Sequence, residues 1–249
     1  MSKIAVLADI HANIWALDAV LEDVQARGIT TLVNLGDALY GPLAPGETYM
    51  RLRDCDLVSV SGNQDRLIVD TLSAEMAAHP TLALVREALP TAALTWLRRM
   101  PAQTVLNEEV FLCHGVPGSD RIYLLEDVAA GFPRLRAPEV LAGLLEGVDL
   151  PVILCGHSHL PHLVQLDDGR LVVNPGSVGL PAYADRQPVS HRMENFTPHA
   201  RYAVIEKTLS GWNVDLVGLT YPFQAAVAAA QRQGRPDWAA ALATGRACS

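Results

Sequence analysis

Five times along this chain a short apolar run ends on residues that bind metals. The islands are Asp9-Ile10-His11, Gly36-Asp37, Gly62-Asn63, His114-Gly115 and Gly156-His157-Ser158-His159. They follow runs such as Ile4–Ala8 and Val152–Cys155, whose length and β-branched content read as buried strands. Core packing explains one such island, but five in order call for a fold that gathers strand ends. In α/β sheets, sites collect beyond the carboxyl ends of parallel strands. The ligand types are Asp, Asn and His, with no thiolate, which suits hard to borderline divalent ions. Seven side chains exceed the four positions of one tetrahedral ion, so the set implies two ions sharing a ligand. Asp37, alone on its island, is the natural bridge, and the D-x-H and H-x-H pairs are expected to face inward by the period-two alternation of a strand.

The rest of the chain supports an α/β reading. Asn13 is expected to cap a helix whose apolar face carries Leu17, Val20, Leu21 and Val24 and which stops at Gly28. Thr31–Leu35 and Leu57–Ser61 are the next strands, so strands and helices alternate as in a largely parallel sheet. Residues Arg66–Arg99 read as helical, broken at His79-Pro80 and Leu89-Pro90. Val110–Cys113 returns to the sheet, and Val116–Gly147 is irregular and partly helical before the Val152–Cys155 strand. Leu163–Leu166 and Arg170–Val173 form a hairpin around Asp167-Asp168-Gly169, and Tyr202–Glu206 with Trp212–Val217 form another around Ser210-Gly211. Asn174–Ala200 is expected to be a long functional loop. An Ala-rich helix, Gln224–Gln233, a stop at Gly234 and a last helix from Pro236 read as a packing or partner tail. No repeat or low-complexity linker divides residues 1–249, so one domain is expected.

Composition narrows the function. The formal net charge of −8 argues against duplex nucleic acid or an anionic membrane as partner, since both need a basic face. Phosphorylated substrates stay open, because bound cations invert the local field. Cys55, Cys113, Cys155 and Cys248 are scattered with no C-x-x-C pair, and no signal-peptide pattern or membrane-length apolar run follows Met1-Ser2-Lys3. A cytoplasmic location is the expectation.

In order and spacing, the islands resemble the calcineurin-like metallophosphoesterase superfamily, whose pattern is D-x-H, G-D, G-N-H-D/E, H and G-H-x-H. Asn174-Pro175-Gly176-Ser177 matches a further N-P-G-S element and is similar to that of the small bacterial and archaeal phosphodiesterase-like branch. The resemblance runs from about Lys3 to Val217, leaving a helical tail at about 222–249. It implies a four-layer α/β/β/α sandwich of two mixed sheets flanked by helices. It assigns Asp9, His11 and His159 to one ion and Asn63, His114 and His157 to the other, with Asp37 bridging two divalent ions drawn from Mn, Fe, Zn, Ni or Co. The activity implied is hydrolysis of a phosphate ester (a phosphodiester, a nucleotide or a small phosphorylated molecule) by in-line attack of a bridging hydroxide, with Asn63 stabilising the phosphoryl oxygens.

One position departs from the pattern. Gly62-Asn63-Gln64-Asp65 carries Gln64 where the superfamily has a histidine seen as general acid. An amide donates a hydrogen bond but transfers no proton at neutral pH. The enzyme this implies is restricted to leaving groups that need little protonation. His162, His191 and His199 are the alternatives for a missing acid, against the plainer reading of exposed or capping histidines, and Asp65 is expected to cap the next helix. Arg66, Arg186 and Arg192 are candidate phosphate binders, against a reading as solvated surface charge. Two other readings stand beside the leading one: a phosphatase acting on phosphoproteins or cyclic nucleotides, and a degenerate scaffold like the retromer subunit of this superfamily, which Gln64 mildly favours.

Overall fold

The computed structural model describes residues 3–72 and 76–248. Residues 73–75, inside the stretch read as helical, lie outside the described part, as do Met1, Ser2 and Ser249. The chain runs β1 (Lys3–Leu7), α1 (Ile14–Ala26), β2 (Thr31–Asn34), α2 (Pro45–Arg53), β3 (Leu57–Ser59), α3 (Asn63–Asp70), a 3₁₀ turn at Met76–Ala78, α4 (Pro80–Ala88) and α5 (Thr91–Arg99). It continues through β4 (Gln103–Leu106), β5 (Val110–Cys113), the short β6 (Glu126–Asp127) and β7 (Arg134–Leu135), α6 (Pro138–Leu144), β8 (Val152–Leu154), β9 (Pro161–Gln165) and β10 (Leu171–Pro175). A hairpin of β11 (Ala182–Asp185) and β12 (His191–Glu194) precedes β13 (Ala200–Thr208), β14 (Gly211–Leu219), α7 (Phe223–Arg232) and α8 (Pro236–Thr244).

Two five-stranded mixed sheets form the core, ordered β14-β13-β1-β2-β3 and β4-β5-β8-β10-β9. The central pairs β1–β2, β2–β3, β5–β8 and β8–β10 are parallel, and the outer hairpins are antiparallel. Alternation along each strand sorts the side chains between layers. Ile4, Val6 and Ala8 join Val110, Leu112, Val152 and Leu154 between the sheets. Ala5 and Leu7 face the α1 side, packing with Leu17, Val20 and Val24. Phe111, Cys113, Ile153 and Cys155 face α6 through Leu141 and Leu145. Strands buried on both faces must be apolar throughout, which is why these runs show no polar alternation. The result is the expected four-layer sandwich.

Several expectations are corrected. Asn174–Ala200 is not a structureless loop: β11 and β12 pair from Ala182↔Glu194 to Asp185↔His191. Met193 and His191 are buried on one side of that hairpin, so His191 is neither exposed nor a cap. Helix α2 and edge strand β4 are further elements beyond those expected. Proline at the start of α2 supplies its first turn, and β4 alternates exposed and half-buried residues with too little apolar contrast to signal a strand. Among the described residues, no helix is long and apolar enough to cross a membrane.

Candidate metal centre

Each ligand island lies just beyond its strand, in a loop except at Asn63, which opens α3. Asp9, His11, Asp37, His157 and His159 all have positive φ, between 50° and 71°. Their inward aim is therefore set by left-handed turns after the last paired residues, and the expected strand alternation does not supply it. Such backbone is uncommon for residues with side chains and gathers at functional sites. The glycines of the G-D and G-N islands have a steric reason as well. A Cβ on Gly62 would lie 2.1 Å from Asp37 Oδ1, and one on Gly36 would lie 2.5 Å from Gly62 N. The second and third islands thus pack backbone against backbone.

The imidazoles arrive with their proton positions fixed. His11 Nδ1 faces the Tyr40 carbonyl at 2.9 Å, His159 Nδ1 the Leu180 carbonyl at 2.7 Å and His114 Nδ1 the Leu35 carbonyl at 2.8 Å. A carbonyl only accepts, so each Nδ1 carries a hydrogen and Nε2 is the ring atom left to meet a metal ion. Those Nε2 atoms converge: His11 and His159 stand 3.0 Å apart, and His114 Nε2 lies 3.1 Å from Asn63 Oδ1. Asp9 Oδ1 is buried, accepts no hydrogen bond and lies 3.4 Å from His159 Nε2. Nitrogen and oxygen donors converging beside an orphaned carboxylate oxygen fit cations. The described residues form two such groups, Asp9 with His11 and His159, and Asp9 with Asp37 and His114, each with ligand atoms within 4.8 Å of one another. Together they make a two-metal-ion site of oxygen and nitrogen donors. Asp9 belongs to both groups, whereas the sequence reading gave the shared role to Asp37 alone. His157 falls in neither group, but its ring lies 5.0 Å from that of His114, and it lines the same pocket as His11, Asp37 and His159.

Electrostatics points the same way. Burial, aided by its neighbour His159, pushes His11 down to about 4, and burial with His114 does the same to His157, so both stay neutral near pH 7. At His114, burial opposes the charged form, but Asp37 (3.5 Å away) and Asp9 outweigh it and raise the group to about 10. Positive charge at this spot, as a proton or a metal ion, is what the two carboxylates favour.

A second layer holds the loops. Asp65 does more than cap α3: its carboxylate accepts the N–H of Gly62 (3.1 Å), Asp37 (2.7 Å) and Ala38 (3.0 Å). The Asn174–Ser177 element is also a brace. Asn174 Nδ2 donates to the Gly156 carbonyl (2.9 Å) and Ser158 Oγ (3.1 Å), while Ser177 Oγ donates to the Asp9 carbonyl (2.8 Å). Glu126, which the sequence did not single out, is buried and accepts from Ser158 Oγ at 2.8 Å. His162 is half-buried, 3.4 Å from that carboxylate, and His191 Nε2 accepts from Tyr123 Oη at 3.0 Å. The Tyr123 ring stacks on His157 at 4.6 Å.

Gln64 lines the metal pocket of about 360 Å³ and donates its backbone N–H to Asp37 Oδ1 at 2.8 Å. Arg66 does not reach into this pocket. Asp120 holds its guanidinium through two 2.8 Å bonds in an adjoining depression that touches His114. Arg186 and Arg192 border a different depression, beyond the β11–β12 hairpin. His199 lies outside all of these contacts and only half-buried. The tail, by contrast, is part of the site. Trp238 of α8 meets the His11 ring edge-on at 5.7 Å, and Arg235 is the one Lys or Arg among the described pocket residues. A helix so far along the chain carries no ligand motif, so periodicity alone showed only that it packs.

The profile of the calcineurin-like phosphoesterase superfamily domain matches residues 2–194. The chain belongs to that superfamily. It is similar to an uncharacterized protein of Methanocaldococcus jannaschii, 25% identical over 257 residues and 95% of each chain. Its fold is that of a metallophosphoesterase from Sphaerobacter thermophilus (TM-score 0.74, 23% identity, 96% of this chain and 98% of that one). A hypothetical protein from Pyrococcus horikoshii has it too (TM-score 0.75, 21% identity, 100% of both). Calcineurin-like fold and paired ligand groups together support a metal-dependent chemistry of the phosphoesterase type.

Proposed function

We propose that this calcineurin-like chain is a phosphoesterase that hydrolyses a phosphodiester, a nucleotide or another small phosphorylated molecule. The observation that carries the reading is the convergence of His11 and His159 at 3.0 Å, each with Nδ1 committed to a carbonyl. Asp9, His11 and His159 would hold one divalent ion and Asn63, His114 and His157 the other, with Asp37, and by position Asp9, shared between them. Bound there, the ions supply a water activated as nucleophile and positive charge for the phosphoryl oxygens. The residues do the rest: Asn63 orients a phosphoryl oxygen, and Gln64, which lines the same pocket, offers an amide hydrogen bond, but no proton, to the departing oxygen.

Hydrolysis of bis(4-nitrophenyl) phosphate with Mn²⁺, compared between wild type and Asp37→Asn, tests this. Turnover that the substitution abolishes supports it, and no turnover with any of Mn²⁺, Ni²⁺, Co²⁺ or Zn²⁺ removes it. Gln64 favours a second reading, a metal-binding scaffold for protein interaction, which the same absence of turnover in a metal-loaded chain would support.

A further inference from the structure

The metal pocket does not end at the β11–β12 hairpin. Ala184, Asp185 and Cys248 line it and also line a second depression of about 710 Å³, so the two adjoin across these residues. That volume is in the range of small-molecule sites.

The second depression is lined by two arginines and two carboxylates. Arg186 and Arg192 line it, both exposed, and neither forms an ion pair among the described residues. Its two carboxylates are engaged by backbone instead. Asp185 Oδ1 accepts the N–H groups of Arg186 and Gln187 at 2.6 and 3.0 Å, and Glu194 Oε1 accepts that of Ala247 at 2.8 Å. Neither guanidinium has a side-chain hydrogen bond or ion pair among the described residues, so both are free for a ligand.

Two phenylalanines border the same space, Phe132 (48% exposed) and Phe196 (57% exposed). Each lies under a further arginine, Arg134 at 4.6 Å from the first ring and Arg246 at 5.0 Å from the second. Phe196 has φ of 59°, a left-handed conformation that is costly for a bulky residue, and its N–H donates to the Gly245 carbonyl at 2.9 Å. The backbone is thus pinned to the end of α8 with the ring held outward. A single exposed phenylalanine is ordinary. Two of them, paired with guanidinium planes around a depression with unpaired arginines, combine phosphate forks with stacking faces.

We propose that this depression is a second substrate subsite, which takes the nucleoside end of a nucleoside polyphosphate whose phosphate chain reaches the metal centre. Arg186 and Arg192 hold phosphate oxygens, and Phe132 and Phe196 stack against the base. The proposal rests on the phosphoesterase reading and gives it a substrate class. It also accounts for Gln64. In hydrolysis of a phosphoanhydride, water oxygen bonds to phosphorus, the bridging P–O bond breaks, and the leaving phosphate keeps the electron pair, while the protons of water pass to the phosphate products and solvent. A phosphate leaving group has a pKa near about 6, so no general acid is needed at neutral pH.

The test is equilibrium binding of α,β-methylene-ADP, which is not cleaved, to the full chain as purified, beside adenosine and methylenediphosphonate. The analogue should bind more tightly than either fragment. R186A/R192A should weaken the analogue and the diphosphonate by about tenfold or more, and F132A/F196A should weaken the analogue and adenosine but not the diphosphonate. No binding of the analogue, or binding that neither pair of substitutions alters, overturns the proposal. Binding needs no turnover, so failures separate. A chain that binds in this way but cleaves no phosphate ester keeps the subsite and loses the phosphoesterase reading, whereas one that cleaves the aryl diester with unaltered analogue binding loses the subsite alone.

Discussion

Asp65 Oδ2 accepts the backbone N–H of Asp37 at 2.7 Å, which ties the third ligand loop to the second. The same carboxylate takes the N–H groups of Ala38 and Gly62, so Asp65→Ala leaves three buried donors unpaired. Each unpaired donor costs about 1–3 kcal/mol. Urea denaturation should show a loss of at least about 3 kcal/mol, and a loss of only about 1 kcal/mol would show that Asp65 merely caps α3.

Gln64 stands beside Asn63 in the metal pocket, where it can donate but not transfer a proton. Restoring the superfamily residue, Gln64→His, should raise the rate on alkyl phosphate esters, whose leaving oxygens need a proton, by about 10²–10⁴-fold. Rates on aryl esters should change little. Steady-state kinetics with both substrates decides the matter, and an unchanged alkyl rate removes the explanation.

Trp238 is 8% exposed and packs edge-on against His11, joining the tail to the first ligand island. Trp238→Ala should cost about 3–5 kcal/mol in chemical denaturation, as expected for a buried tryptophan. It should also loosen metal retention, measured by dialysis against a weak chelator. Full stability and full retention would return α8 to the status of an accessory helix.

What could be read in the sequence follows from where each signal lies. Val110–Cys113 and Val152–Cys155 are buried between layers, so the runs are unbroken and the strands were evident. The islands were evident because metal chemistry restricts residue type, whatever the backbone does. The hairpin of Ala182–Asp185 and His191–Glu194 was not, since Ala-Tyr-Ala-Asp and His-Arg-Met-Glu carry little apolar alternation and the pairing is tertiary. Glu126 was missed for a related reason: a lone glutamate in an irregular stretch becomes informative only once Ser158, some thirty residues later, donates to it.

Glu126 predicts a pH effect. Burial raises it from an ordinary 4.5 to about 7, with Ser158 donating to one oxygen and the other buried without a partner. The folded state then binds more protons than the unfolded chain between about pH 4.5 and 7, so this group's contribution to stability is present below that window and is lost as pH rises through about 7. The slope is at most about 1.4 kcal/mol per pH unit. Glu126→Gln should flatten it, so that the stability gap between variant and wild type, from urea denaturation at pH 5 and pH 8, shifts toward the variant at the higher pH. A gap that stays constant would mean that Glu126 is ionised throughout.

The five islands build one centre for two ions. Calorimetric titration of the chelator-stripped chain with Mn²⁺ tests it most directly, using wild type and His159→Ala, whose ring belongs only to the group with Asp9 and His11. Two ions per chain for wild type and one for the variant are expected. Fewer than two in wild type, or two still bound in the variant, would contradict a shared two-ion centre.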